Sequence, residues 1–153
     1  IVAIRLKDKK IDIAFQSRLI RSKNTMKEIL KFHPNCKTII TDDRIIERSY
    51  GDLQGKTHFQ YINKHSPGEY DKFHRGYKSR PPGGESLQDV EKRVKSFIKD
   101  LLKMMKENKV NVAISAHGNS MRPFRRYFEK MSIKEMMLIE NPYDNYFEYS
   151  IDV

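Results

Sequence analysis

The sequence predicts an α/β layered domain built on a largely parallel sheet. Three observations predict it. Short apolar runs of strand length alternate with longer stretches of helical period. Two of the polar clusters follow directly after such runs, at the strand ends where open α/β sheets bind ligands. The 153 residues are enough for one domain with a real core.

The elements follow in order. Residues 2–8 read as the end of a helix. Asp12 to Gln16 is a short apolar strand of buried-sheet character, and Ser17 follows as a turn or cap. A helix over 20–32 offers Met26, Ile29, Leu30 and Phe32 to the core and ends at His33-Pro34. Lys37 to Thr41 is the next strand. Residues 42–56 lack periodicity and carry Gly51 and Gly55. Thr57 to His65 is helical, Pro67-Gly68 breaks it, and a short helix covers Glu69 to Phe73. Arg80-Pro81-Pro82-Gly83-Gly84 is a rigid and then permissive turn. Ser86 caps a long helix, with Asp89 in its first turn. Its apolar stripe is Leu87, Val90, Val94, Phe97, Ile98, Leu101, Leu102 and Met105. Asn111 to Ala116 is a further buried strand. His117-Gly118-Asn119-Ser120 opens a helix that runs to about Glu129. Ser132 caps a short helix, and Tyr146 to Ile151 forms a final strand.

Hydrophobic residues make up 38% and charged residues 33%, the balance of a globular protein with a highly charged surface. No apolar run approaches the roughly 20 residues that span a bilayer, so no membrane association is expected. The single cysteine, Cys36, cannot form an internal disulfide and is expected to be a bystander in a reducing, cytoplasmic setting. The formal net charge of +10 favours anionic partners, whether nucleic acid, acidic lipid or phosphorylated metabolites, and equally fits a basic but inert surface. Lys92, Lys95, Lys99, Lys103 and Lys106 form the solvated face of the long helix. No zinc-finger spacing, homeodomain pattern or aromatic RNA-binding signature appears, so nucleic acid is not the expected partner. His33, His58 and His65 have no metal-ligand spacing, and no metal is expected.

Four clusters carry chemistry. In Ser115-Ala116-His117-Gly118-Asn119-Ser120, a histidine follows a buried strand and a glycine opens a helix. The helix start offers N–H groups and a positive dipole end to a phosphate, with His117 as a further donor. The same residues also fit a capped helix with a partly buried histidine. Arg122, one turn on, fits a salt-bridge partner better than a ligand. Ser17 to Thr25 places Arg21 one turn into a helix after a strand, where a guanidinium could grip phosphate, or simply face solvent. Arg44 to Gly55 contains Glu47, able to act as general acid and base if its surroundings tune it, or else to form an exposed Glu–Arg pair with Arg48. His74-Arg75-Gly76-Tyr77 sets an arginine on a loop, suited to a substrate carboxylate. Together the clusters would stabilise a phosphoryl group in transfer by electrostatics and positioning. They contain no P-loop motif.

Read in order, these stretches resemble the histidine phosphatase superfamily, and within it the 2,3-bisphosphoglycerate-dependent phosphoglycerate mutases. The resemblance is carried by Ser17-x-Leu19-x-Arg21-Ser22-x-x-Thr25, by Glu47-Arg48-Ser49-Tyr50-Gly51-Asp52-Leu53-Gln54-Gly55 and by Arg75-Gly76-Tyr77. Gly84-Glu85-Ser86-Leu87 and Ala116-His117-Gly118-Asn119-Ser120-Met121-Arg122 complete it, across essentially the whole chain. It implies a single three-layer α/β/α sandwich over residues 1–153 that lacks the family's first strand. The implied activity is interconversion of 3-phosphoglycerate and 2-phosphoglycerate through a phosphohistidine, primed by 2,3-bisphosphoglycerate and without a metal, in a protein that could form a homodimer. Arg21 and His117 would bind the transferred phosphoryl group, and Glu47 would give and take the proton. Gly118 and Asn119 would belong to the phosphate pocket. Arg48, Tyr50, His74, Arg75 and Lys56 would contact the substrate.

The family's nucleophilic histidine lies in an Arg-His-Gly motif, and no such motif occurs here. The resemblance therefore implies that the chain starts inside the family's first helix and, taken alone, is inactive. Other departures bear on the activity. His74 stands where mutases have the first of two arginines, and His58 stands at their lysine, with Lys56 nearby. The long insertion before the Glu-Ser-Leu motif is missing. A phosphatase acting on small phosphomonoesters is the alternative enzyme, and a phosphate-binding regulatory module is the non-enzymatic one.

Overall fold

A computed structural model describes residues 2–51, 76–142 and 145–152. Three parallel strands form its sheet: β1 (Ile13–Gln16), β2 (Thr38–Thr41) and β3 (Val112–Ser115), in the order β2-β1-β3. Ile13 aligns with Thr38 and Val112, and Gln16 with Thr41 and Ser115. The three strands therefore end level. The chain leaves each of them at the same edge, so the loops after Gln16, Thr41 and Ser115 share one rim of the sheet.

Helices cover both faces, because successive side chains of a strand point to opposite sides. Ile13, Phe15, Val112 and Ile114 face one way. There they meet α3 (Leu87–Asn108), the amphipathic helix marked by the long stripe, and α4 (Gly118–Glu129). Val90, Val94, Phe97, Ile98 and Leu101 are buried in this cluster with Phe15 and Ile45. Phe97 meets Phe15 edge to face at 5.2 Å between ring centres. Ala14 and Ala113 face the other way, toward α1 (Val2–Leu6) and α2 (Ile20–Leu30), where Met26, Ile29, Ile11 and Cys36 are buried. Small alanines on this face let α2 approach the strands closely.

Lys92, Lys95, Lys99, Lys103 and Lys106 all lie exposed on α3. Ser86 caps the helix as expected: its hydroxyl accepts from the Asp89 amide at 3.0 Å, and the Asp89 carboxylate accepts from the Ser86 amide at 2.9 Å. Ser132 and Glu135 repeat the arrangement at α5 (Ile133–Leu138). Cys36 is buried, and that burial pushes its thiol up from the usual range. No helix among the described residues is long and apolar enough to cross a membrane.

Two expectations need correction. Phe32 is 44% exposed, because α2 ends at Leu30 and the following turn carries the ring off the apolar face. Residues 145–152 form no strand. A strand needs a hydrogen-bonded neighbour, and this segment is held by side chains instead. Tyr149 stacks on Phe128 at 4.9 Å and bonds Glu129 through its hydroxyl, while the Phe147 ring lies 4.1 Å from the Arg125 guanidinium. The helices expected over 57–65 and 69–73 lie outside the described residues.

Candidate phosphate site

The site is built on the shared rim of the sheet. Ser17, His117 and Asp42 begin or belong to the loops there, and serine hydroxyls join two of these loops. The Ser22 hydroxyl accepts from the Ser17 amide at 3.0 Å and donates to the Ser115 carbonyl at 2.8 Å. The loop after β1 is thus joined to the end of β3. Ser120 does the same on the other side. Its hydroxyl accepts from the His117 amide at 3.0 Å and donates to the Ile45 carbonyl at 2.7 Å, joining the start of α4 to the segment before Glu47.

His117 lies at the centre, 6% exposed. Its Nε2 is 2.7 Å from the Ser17 hydroxyl, and its Nδ1 is 3.3 Å from Arg21 Nε. A guanidinium only donates, so Nδ1 accepts and the ring proton of the neutral imidazole resides on Nε2, directed at Ser17. Burial holds the His117 imidazole below its ordinary value. The Glu47 carboxylate works against that shift, and the nearby Arg21 and Arg93 charges add to it.

Glu47 faces the same place from the opposite loop. Its Oε1 accepts from the Arg48 amide at 2.9 Å and from the Asn119 amide in the first turn of α4 at 3.1 Å. A side-chain carbon placed on Gly118 would lie 3.9 Å from Glu47 Oε2, so the helix start and the carboxylate are in van der Waals range. The Asn119 side-chain Nδ2 donates to the Tyr50 hydroxyl at 3.1 Å. Asn141 donates to the Gly118 carbonyl at 2.9 Å. Arg21, Glu47 and His117 thus converge with Gly118, Asn119 and Tyr50 on one rim. Lys56, His74 and Arg75 lie outside the described residues.

Arg48 corrects the simple picture of an exposed Glu–Arg pair. It is 1% exposed, the largest of the fully buried side chains among the described residues. Its Nε donates to the Glu85 carbonyl at 2.8 Å and its Nη2 to the Ser79 carbonyl at 3.3 Å. The guanidinium lies 4.8 Å from the Tyr50 ring centre. Burial lowers the Arg48 pKa from its ordinary value, with Tyr50, Glu85 and Glu47 opposing. Arg122, expected in a salt bridge, instead donates to the Met136 carbonyl at 3.0 Å, because the end of α5 presents carbonyls where a carboxylate was expected.

The segment carrying Glu47 is itself held from below. Glu85 and Ser49 pair through their backbones at 2.8 Å, and the Ser49 amide donates to the Glu85 carboxylate at 3.0 Å. Gly51 adopts φ +55°, and a side-chain carbon there would come within 2.2 Å of the Pro82 carbonyl. One built on Gly84 would lie 2.7 Å from the Ser49 carbonyl. Only glycine fits at these two places. Ser17, Ser22, Ser120 and Glu85 stand in the motif stretches without a site role read from the sequence, and Arg93 lies outside all of those stretches. The one available signal was Arg93, a charged residue set among Val90, Val94 and Phe97 on the apolar side of α3.

The profile of the histidine phosphatase superfamily (branch 1) matches residues 1–151. A 2,3-bisphosphoglycerate-dependent phosphoglycerate mutase of Chlamydia caviae is 32% identical over 163 aligned residues, covering 90% of this chain and 72% of that protein. A phosphoglycerate mutase of Schizosaccharomyces pombe is 40% identical over 124 residues, covering 77% of this chain and 57% of its own length. Among solved structures, a mycobacterial glucosyl-3-phosphoglycerate phosphatase superposes with a TM-score of 0.75 at 23% identity, over 88% of this chain and 65% of that one. A Bacillus stearothermophilus protein superposes at 0.76 with 20% identity, over 93% of this chain and 68% of its own. These two structures share the fold.

Proposed function

This chain belongs to the histidine phosphatase superfamily, and on that premise we propose that its site serves phosphoryl transfer between the hydroxyls of phosphoglycerate. The observation that carries the reading is the convergence of Arg21, His117 and Glu47 on one rim of the sheet.

The residues present suit the task. Arg21 supplies a permanent cation and His117 a buried imidazole beside it. A phosphoryl dianion entering there meets a neutral ring, and its charge draws a proton onto Nδ1, turning an acceptor into a second donor. The Ser17 hydroxyl holds Nε2 and so fixes which nitrogen faces the incoming group. Glu47, across the rim, is within reach of the same space and gives or takes the proton of the reacting hydroxyl. Gly118 and Asn119 line the phosphate pocket at the start of α4, where the dipole of the 12-residue helix favours negative charge. Tyr50 would meet the acid end of the substrate, with the buried Arg48 guanidinium backing its ring and with Lys56, His74 and Arg75 completing the contact. Bound 2,3-bisphosphoglycerate would supply the phosphoryl group that primes the cycle, and its acceptor would be the histidine of the family's Arg-His-Gly motif, which residues 1–153 do not contain.

The phosphatase reading has its own support. The segment between Arg75 and Gly84 is short, which leaves less chain to exclude water, and the superposed mycobacterial neighbour is a phosphatase of a phosphoglycerate derivative.

One assay separates the two. The intact protein receives 3-phosphoglycerate with 2,3-bisphosphoglycerate, and 2-phosphoglycerate and inorganic phosphate are followed together. A mutase yields isomer with little free phosphate. Rapid phosphate release without isomer establishes the phosphatase. Phosphate or vanadate binding that perturbs the His117 ring, with neither product formed, establishes the binding module.

A further inference from the structure

Arg93 lies on α3 with no place in the proposed chemistry, yet its guanidinium reaches the segment that carries Glu47. It donates to the Arg44 carbonyl at 2.8 Å and to the Glu47 carbonyl at 3.3 Å. Its other edge pairs with Glu85, Nε to Oε2 at 2.9 Å and Nη2 to Oε1 at 3.1 Å. Glu85 in turn accepts from the Ser49 amide through Oε1 and from Arg48 Nε through its carbonyl. Residues 44 to 49 are therefore gripped from both sides of Glu47 by one ion pair rooted in a 22-residue helix.

We propose that Arg93, paired with Glu85, is a positioning residue that fixes the Glu47 carboxylate against the first turn of α4. Glu47 stands on irregular backbone, and irregular backbone has no ladder of its own to hold it. A planar guanidinium can satisfy two carbonyls and a carboxylate at once, which a lysine ammonium cannot do from one fixed plane. The pair is mostly shielded, with side chains 18% and 27% exposed. Burial would raise the Glu85 carboxyl, but its bonds to Arg93 and to the Ser49 amide outweigh that and hold it below its usual range. The pair thus stays ionised through neutral pH. Arg93 also adds positive charge near His117.

The inference rests on Glu47 being the proton donor and acceptor, and the test separates the two claims. In this chain the Asn119 amide, which donates to Glu47, reports where the carboxylate lies. Its NMR resonance and its hydrogen exchange are compared in wild type, Arg93→Lys, Glu47→Gln, and the exchanged pair Arg93→Glu with Glu85→Arg. Expected is faster exchange, by roughly tenfold or more, and a displaced Asn119 resonance in Arg93→Lys. The exchanged pair should not restore it, because a glutamate cannot donate to the Arg44 and Glu47 carbonyls. The amides of β1 and β3 should keep their protection. In the intact enzyme, Arg93→Lys should lower kcat by about 10- to 100-fold with KM within about threefold. Combining it with Glu47→Gln should cost no more than Glu47→Gln alone.

An unmoved Asn119 resonance in Arg93→Lys, or restoration by the exchanged pair, overturns the positioning claim. General loss of strand protection does so too, since it assigns Arg93 to stability alone. Full activity in Glu47→Gln removes the catalytic reading and leaves the Asn119 result to stand or fall on its own.

Discussion

At the scale of single residues, His117 links the site to pH. Its imidazole is held below its ordinary value of 6.5 in the fold, chiefly by burial. An unfolded chain takes up the proton near pH 6.5, whereas the folded site resists it. Stability from this group is therefore present above pH 6.5 and is lost as the pH falls through the lowered folded value. Denaturant unfolding at pH 7.5 and pH 5.5 should show a larger acid loss in wild type than in His117→Gln. Inorganic phosphate should shrink that loss, because a bound anion favours the protonated ring. Equal losses in the two proteins would refute the assignment.

Residue identities were the least legible part of the sequence in one respect and the most in another. Arg21, His117 and Asn119 could be read because each stands in a short motif beside a strand end or a helix start, and Glu47 because it opens one of the stretches that carry the family resemblance. The burial of Arg48 could not. The carbonyls that receive it belong to Ser79 and Glu85, over 30 positions away, and local pattern carries no trace of such a partner. Arg122 failed for the same reason: the carbonyl that receives it belongs to Met136, on another helix 14 positions along.

At the scale of elements, the capping residues were legible because their chemistry is local. Ser86 and Asp89 satisfy each other's amides at the start of α3, and Arg80 adds a 2.6 Å pair to Asp89, whose carboxyl is held down to about 2. Ser86→Ala should cost about 1 kcal/mol. For a chain of this size that is about 2–4 °C in Tm, read by differential scanning calorimetry. A loss well under 0.3 kcal/mol would mean that the Asp89–Arg80 pair holds the helix start without the serine. The final segment shows the opposite case. Its alternation of Phe147, Tyr149 and Ile151 is a sound pattern for extended backbone, yet pattern does not supply a neighbouring strand. The segment instead lays Phe147 and Tyr149 against Arg125, Phe128 and Glu129 of α4.

For the molecule as a whole, Phe97 ties the layers together. It touches Phe15 of the central strand, lies 6.5 Å from Phe124 of α4, and sits beneath the Arg44 guanidinium at 5.6 Å. Phe97→Ala should cost about 3–5 kcal/mol, a large part of the roughly 5–15 kcal/mol typical of a domain. Chemical denaturation should show the midpoint falling sharply with the transition still single. Two separated transitions would show that the sheet and the α3–α4 pair melt independently. The alternation that placed Phe15 and Ile114 on one face and Ala14 and Ala113 on the other was visible in the strands. How the two faces divide their helices was not, since that depends on which way each crossover turns.

The interlock of Gly51 with the Pro82–Gly84 turn carries a consequence for inheritance. Each stretch is shaped to a partner more than 30 positions along the chain, closely enough that a single added methyl group on either side collides with the other's backbone. A chimera with a crossover anywhere between them would join halves cut for different mates. Homologous recombination within this lineage should leave that interval whole, and shuffled libraries should be depleted of breakpoints there.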